Sequence, residues 1–136
     1  MISGKGGYSG GVTIPGVSDW RTFQSYAQRY FSDLWGVDLR ERSIKVAGRV
    51  EWKFDLVSPD AEFVGDAKWL KNIQSPAAKW QAIAECIWLL QKVKASKVFM
   101  VFGRDAEVAT RYLARVRPLT EPVEFFFLDG YGHHVL

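Results

Sequence analysis

The sequence predicts a single α/β domain with a mixed central sheet flanked by helices, and three observations predict it. A helical-period apolar stripe opens the body of the chain; three strand-like runs follow with only turns between them; helix and strand then alternate to residue 128. A meander makes antiparallel pairs and a helix crossover makes parallel ones, so the order α-β-β-β-α-β-α-β calls for both in one sheet.

The elements follow in order. Residues 1–16 carry six glycines and little hydrophobic periodicity, which reads as a flexible Gly-rich tail, with Val12 and Ile14 the residues suited to touch the body. Residues 17–136 are the domain. Gly4-Lys5-Gly6 lacks the spacing and the preceding strand of a phosphate-binding loop. Ser18 is placed to cap a first helix running to about Leu34, with Trp20, Phe23, Ala27, Tyr30, Phe31 and Leu34 as its apolar stripe and Gly36 as its stop. Strands are expected at Ile44–Ala47, Val50–Val57 and Glu62–Leu70, separated by Gly48-Arg49 and Ser58-Pro59-Asp60. Ser75 and Pro76 start a second helix, to about Lys94, whose buried stripe is Trp80, Ile83, Ala84, Ile87 and Leu90. The continuous run Val98–Phe102 suits a strand covered on both faces, Asp105 caps a third helix ending near Arg115, and Val123–Leu128 is a last strand.

Apolar residues make up 48% of the 136, with six Trp, nine Phe and five Tyr, enough for one core. The single cysteine, Cys86, excludes an intramolecular disulfide and reads as a small core residue. No run reaches the roughly 18 apolar residues of a membrane span and nothing resembles a signal peptide, so the expectation is a cytoplasmic protein with no membrane partner. The charge of +3 and pI near 9.1 permit a polyanionic partner without requiring one.

The chemistry concentrates in two neighbouring strands. Asp55 is followed eleven residues later by Asp66, and Lys68 lies two beyond that. Strict alternation puts Val50, Trp52, Phe54 and Leu56 on one face of the first strand and Glu51, Lys53 and Asp55 on the other. Asp66 and Lys68 share a face of the next, opposite Phe63, Gly65, Ala67 and Trp69. Paired as a hairpin, the strands bring two carboxylates and an ammonium to one surface, a site suited to a hard divalent cation.

This arrangement resembles the PD-(D/E)xK nuclease superfamily, a restriction-endonuclease-like α-β-β-β-α-β core with an aspartate on the second meander strand and Asp/Glu-x-Lys on the third. The resemblance spans about residues 18–128 and rests on Asp55, Asp66 and Lys68. It implies a Mg²⁺- or Mn²⁺-dependent hydrolase of phosphodiester bonds, with DNA the expected substrate and a homodimer the expected working form. Asp55, Asp66 and the Ala67 carbonyl would be metal ligands, with Asp55, Asp66 and Lys68 the catalytic set. The first position of the motif is Phe54 in place of proline, and no acid stands at mid-helix in the first helix. Asp19 and Asp33 are the only acids between residues 18 and 35 and neither is at mid-helix; Glu41 and Glu51 are the substitutes, but Glu51 lies four residues, or about 13 Å, from Asp55 along its strand. Because that acid is missing, a catalytically inactive nucleic-acid-binding or assembly module on the same fold is the alternative reading.

Gln81 and Glu85, one turn apart on the second helix, are a second tier of site candidates, as the family implies, although an exposed helix face is the preferred explanation of both. Arg111 and Arg115, one turn apart on the third helix beside Arg104 and Arg117, could touch a phosphate backbone, although a charged outer face is the plainer explanation of each taken singly. His133-His134 reads as a terminal tail, since no Cys or further His is spaced to join them in a metal site.

Overall fold

Six strands lie side by side in chain order in a computed structural model that describes residues 12–70 and 76–136. They are β1 (Arg40–Val46), β2 (Val50–Val57), β3 (Phe63–Trp69), β4 (Lys97–Gly103), β5 (Glu124–Asp129) and β6 (Gly132–Val135). The helices are α1 (Trp20–Trp35), α2 (Pro76–Gln91) and α3 (Ala106–Val116). Neighbours β1–β2, β2–β3 and β5–β6 are antiparallel, while β3–β4 and β4–β5 are parallel through the α2 and α3 crossovers. The result is a mixed open sheet with two cores. One, on the α1 side, contains Phe23, Ala27, Phe31, Leu56, Phe99, Val101, Phe126 and Leu128. The other, on the α2 and α3 side, contains Phe54, Val57, Val64, Ile83, Ile87, Leu90, Met100, Phe102, Leu113 and Phe125.

The alternation of β4, with Phe99 and Val101 on one side and Met100 and Phe102 on the other, explains its unbroken apolar run. Gly65 in β3 is required by close approach: a Cβ there would lie 2.5 Å from the Phe99 ring. Gly36 closes α1 at φ 67°, with its N–H on the Ser32 carbonyl.

Several elements differ from expectation. Asp19, and not Ser18, caps α1, because Thr22 completes a box with it: the Thr22 N–H donates to Asp19 Oδ1 at 2.9 Å and the Asp19 N–H to Thr22 Oγ1 at 3.2 Å. The α1 stripe is narrower than expected, leaving Trp20 and Leu34 exposed, whereas Trp35 packs into the aromatic cluster of Phe31, Phe63, Phe99 and Phe126. On α2, Ala84 is exposed, and Cys86 and Leu89 take buried positions instead. The Ser75 cap and Gly4-Lys5-Gly6 lie outside the described residues. Strand β1 begins at Arg40, four residues before the expected Ile44, since edge pairing to β2 needs backbone partners and no apolar alternation.

The carboxy-terminal residues are no tail. Asp129-Gly130-Tyr131-Gly132 turns the chain into β6, where His134 Nε2 sits 3.1 Å from Asp129 Oδ1 and His133 Nδ1 lies 2.8 Å from the Tyr30 hydroxyl. At the other end Ile14 is buried, and the Gly130 N–H donates to the Val12 carbonyl at 2.8 Å, which straps residues 12–14 to the same hairpin. Among the described residues no helix is long and apolar enough to cross a membrane.

Candidate functional site

The order of side chains along β2 breaks at Asp55. Phe54 belongs to the α2-side core, Leu56 to the α1-side core and Val57 again to the α2 side. The cause is a bulge. Between the pairs Arg40↔Val57 and Arg42↔Phe54, β1 advances two residues while β2 advances three. One residue of β2 is therefore unmatched, and the alternation slips. Lys53, before the bulge, reaches Glu41 at 3.9 Å, and Gln24 of α1 meets the same Glu41 at 3.4 Å. Without the slip Asp55 would share that side; with it, its carboxyl reaches Asp66. The convergence expected from the sequence occurs, but the single apolar row of Trp52, Phe54 and Leu56 expected with it does not.

Two reciprocal hydrogen bonds hold the pair. The Asp55 N–H donates to Asp66 Oδ1 at 3.0 Å, and the Ala67 N–H donates to Asp55 Oδ2 at 3.0 Å. Regular pairing between β2 and β3 is confined to Leu56↔Gly65 and Val57↔Val64, so the carboxylates take over the hydrogen bonding where the strands part. Asp66 is 7% exposed, and its Oδ2 receives both the Lys68 ammonium and the Cys86 thiol at 3.1 Å. From α1, the Gln28 amide donates to the Asp55 carbonyl at 2.9 Å.

The electrostatics follow from burial. Desolvation, with Asp66 beside it, pushes the Asp55 carboxyl up to about 8. At neutral pH Asp55 thus keeps its proton unless a cation displaces it. Burial alone would lower the proton affinity of Lys68, but Asp66, Cys86 and Asp55 outweigh it and the net shift is upward. The upward shift keeps Lys68 an ammonium at neutral pH. Burial, then Asp66, pushes the Cys86 thiol well above its usual range, so it stays protonated and serves as a donor.

The remaining candidates fall elsewhere. Gln81 and Glu85 are exposed on α2, and Cys86 is the α2 residue that reaches Asp66. Arg111 is exposed and pairs with Glu107 at 3.5 Å, and Arg115 is exposed on the same helix. The acids considered as a third ligand do not converge: Asp19 caps α1, Glu41 pairs with Lys53, and Asp33 and Glu51 are exposed. Among the described residues no group of three or more His, Cys, Asp or Glu is placed to share an ion. Sequence reading missed Cys86 and Gln28, whose roles depend on how α2 and α1 are rotated against the sheet. The one sequence signal that marks Gln28 is its place directly beside the α1 stripe, next to Ala27.

Two carboxylates and an ammonium form a hard-oxygen donor pair with a fixed positive charge at its edge. Such a set suits a cation that uses one or two carboxylates and keeps its waters. No protein-family model, curated protein or solved structure matches the chain.

Proposed function

We propose that the protein is a metal-dependent nuclease of restriction-endonuclease-like topology, hydrolysing phosphodiester bonds, with DNA the preferred substrate. The observation that carries the reading is the bulge-driven meeting of Asp55 and Asp66, with Lys68 3.1 Å from Asp66. A purely structural cluster gains nothing from a carboxyl pushed up to about 8 by burial, whereas a divalent cation relieves that repulsion. The donor set fits Mg²⁺ or Mn²⁺, held by Asp55, Asp66 and the Ala67 carbonyl. Such an ion, when bound, lowers the pKa of a water and polarises a phosphoryl oxygen.

The chain's own groups supply the rest. Lys68, kept charged by Asp66, offers N–H donors to a phosphoryl oxygen as negative charge builds on it. The Asp55 and Ala67 N–H groups fix both carboxylates so that no rotamer search precedes binding. Gln28 anchors the Asp55 main chain from α1, and the Cys86 thiol orients Asp66 from α2.

Asp66→Asn tests this directly. Cleavage of single- or double-stranded DNA with Mg²⁺ or Mn²⁺ should fall at least a hundredfold while the circular dichroism spectrum is unchanged. A nuclease-free preparation of the wild-type chain that cuts no DNA or RNA with either ion overturns the proposal.

One observation favours a second reading, a nucleic-acid-binding module without cleavage: among the described residues no third acid joins Asp55 and Asp66, and α1 meets the Asp55 main chain with an amide, Gln28. Calorimetric titration with Mn²⁺ separates the two. Binding heat that vanishes in Asp55→Asn and Asp66→Asn supports the nuclease, and no heat in the wild type supports the module.

A further inference from the structure

A groove of about 700 Å³ runs between the β1–β2 ribbon and the carboxyl end of α2. Ile44 of β1 and Val93, just beyond α2, form its apolar floor, and both pack on the α2-side core. Lys45, Lys92 and Lys94 line it as well, all three exposed. Ala47, in the β1–β2 turn, and Ala61, in the β2–β3 turn, complete the lining from the left-handed region, at φ 53° and 58°. That conformation disfavours a side chain, and such strain collects at ligand sites.

The charge is of one sign. Among the described residues no acid lines the groove, and none of its three ammonium groups is in an ion pair. Glu51 stands opposite Lys45 in the β1–β2 ladder, yet makes no bridge to it. Several other surface cations are matched: Arg40 with Asp38, Lys53 with Glu41, Lys97 with Glu124 and Arg111 with Glu107. Lys92 and Lys94 also complement the carboxyl end of the α2 dipole, but Lys45 arrives from β1 and has no helix end to complement. A concave surface lined by unmatched charges of one sign focuses the field and concentrates counter-ions of the other.

An aromatic face adjoins the lysines. Trp88, one turn before Lys92 on α2, is 57% exposed, and the Lys92 ammonium lies 5.9 Å from the centre of its ring. That contact puts the indole beside the groove's rim. A basic groove for phosphates with an exposed aromatic ring for bases is the physical pattern of a single-strand binder, since every linkage carries a charge and every base a π-face.

We propose that this groove holds an unpaired nucleic-acid strand, its phosphates on Lys45, Lys92 and Lys94 and a base stacked on Trp88. Lys92 then leaves the ring for a phosphate. The choice of nucleic acid among polyanions rests on the nuclease reading. The groove lies on the same side of the sheet as Cys86 and its partner Asp66, and Lys92 follows Cys86 by six residues, about 9 Å along the helix axis. A strand gripped there reaches the carboxylates within a few nucleotides, so the groove is the holding site and the acids the cutting site.

The test follows the fluorescence anisotropy of a short labelled oligothymidylate in EDTA across a potassium chloride series, so metal and cleavage play no part. Lys45→Gln, Lys92→Gln and Lys94→Gln should each weaken binding and each reduce the slope of log affinity against log salt by about 0.7, the share of one phosphate on a single strand. Arg40→Gln and Lys53→Gln remove the same charge from ion-paired positions outside the groove and should leave the slope unchanged. Trp88→Ala should weaken binding about tenfold at an unchanged slope, because stacking releases no counter-ions. Lysine variants with the wild-type slope, a Trp88→Ala variant that binds like wild type, or controls as damaging as the groove variants overturn the proposal. So does poly-glutamate or a blunt duplex bound as tightly as the oligothymidylate. Cleavage by a chain whose groove variants bind like wild type sinks this inference alone; groove binding without cleavage leaves it standing and sinks the nuclease.

Discussion

The main-chain N–H of Asp55 donates to Oδ1 of Asp66 at 3.0 Å, across the point where the β2–β3 pairing stops. A side chain thus occupies the place of a backbone carbonyl in the ladder, and each acid's position depends on the other's strand. Substituting either one changes geometry as well as charge.

Asp55 sets the pH dependence of stability. An ordinary aspartate titrates near 3.8, and folded Asp55 near 8, so between those values the folded chain binds a proton that the unfolded chain has lost. Stability therefore falls as pH rises through that window. Thermal melts in EDTA from pH 5 to 9 should show a steady decline for wild type and a flatter profile for Asp55→Asn, and Mn²⁺ should restore only the wild type at high pH. Parallel declines in both proteins would show that Asp55 does not titrate in this range.

Lys68→Met isolates the ammonium. Removing a donor aimed at developing charge commonly costs 10²–10³ in rate, about 3–4 kcal/mol. Turnover should fall by that factor with metal affinity unchanged, and the pH–rate profile of the wild type should carry no limb that this substitution abolishes. A Lys68-dependent limb near neutrality would mean that the amine transfers a proton.

Gly65→Ala should destabilise by about 1–3 kcal/mol, a typical cost of overpacking. The added methyl meets the Phe99 ring at 2.5 Å, and that ring is fully buried among Phe31, Trp35 and Phe126, with no room to retreat. Urea denaturation measures the loss. A midpoint equal to wild type would show that the aromatic cluster can shift.

Arg104→Gly should move stability the other way. A side chain in the left-handed region costs on the order of 1 kcal/mol, which glycine avoids. A gain of that size raises the melting temperature by roughly 4 °C for a domain of this length. An unchanged or lower melting temperature would place Arg104 among the stabilising residues instead.

The letters carried the element order to residue 128 and the meeting of Asp55, Asp66 and Lys68 because each rests on a local signal. Hydrophobic period marks helices and strands, and Asp55, Asp66 and Lys68 are named by spacing alone. The bulge was not legible. Alternation along one strand says nothing of a slip against its neighbour, and that slip carries Asp55 to the face of Asp66. Cys86 and Gln28 depend on helix rotation, which an apolar stripe fixes only to within its own width; the outward-facing Trp20 and Ala84 mark that width. Strand β6 was missed because His133-His134 invites thoughts of metal or tail, although the Asp129-Gly130 turn before it was a usable hairpin signal.

The short β2–β3 ladder has a mechanical consequence. The β1–β2 ribbon is stitched to the remainder of the sheet toward one end, by the pairs Leu56↔Gly65 and Val57↔Val64, the Ser58 N–H on the Phe63 carbonyl and the two carboxylate contacts at the adjoining Asp55. It is built like a flap on a narrow hinge, and the two acids sit on opposite leaves. Anything gripped between them closes the leaves. Amide protons of residues 50–55 should then exchange as a group, well ahead of those in β4, and slow together once a divalent ion is supplied.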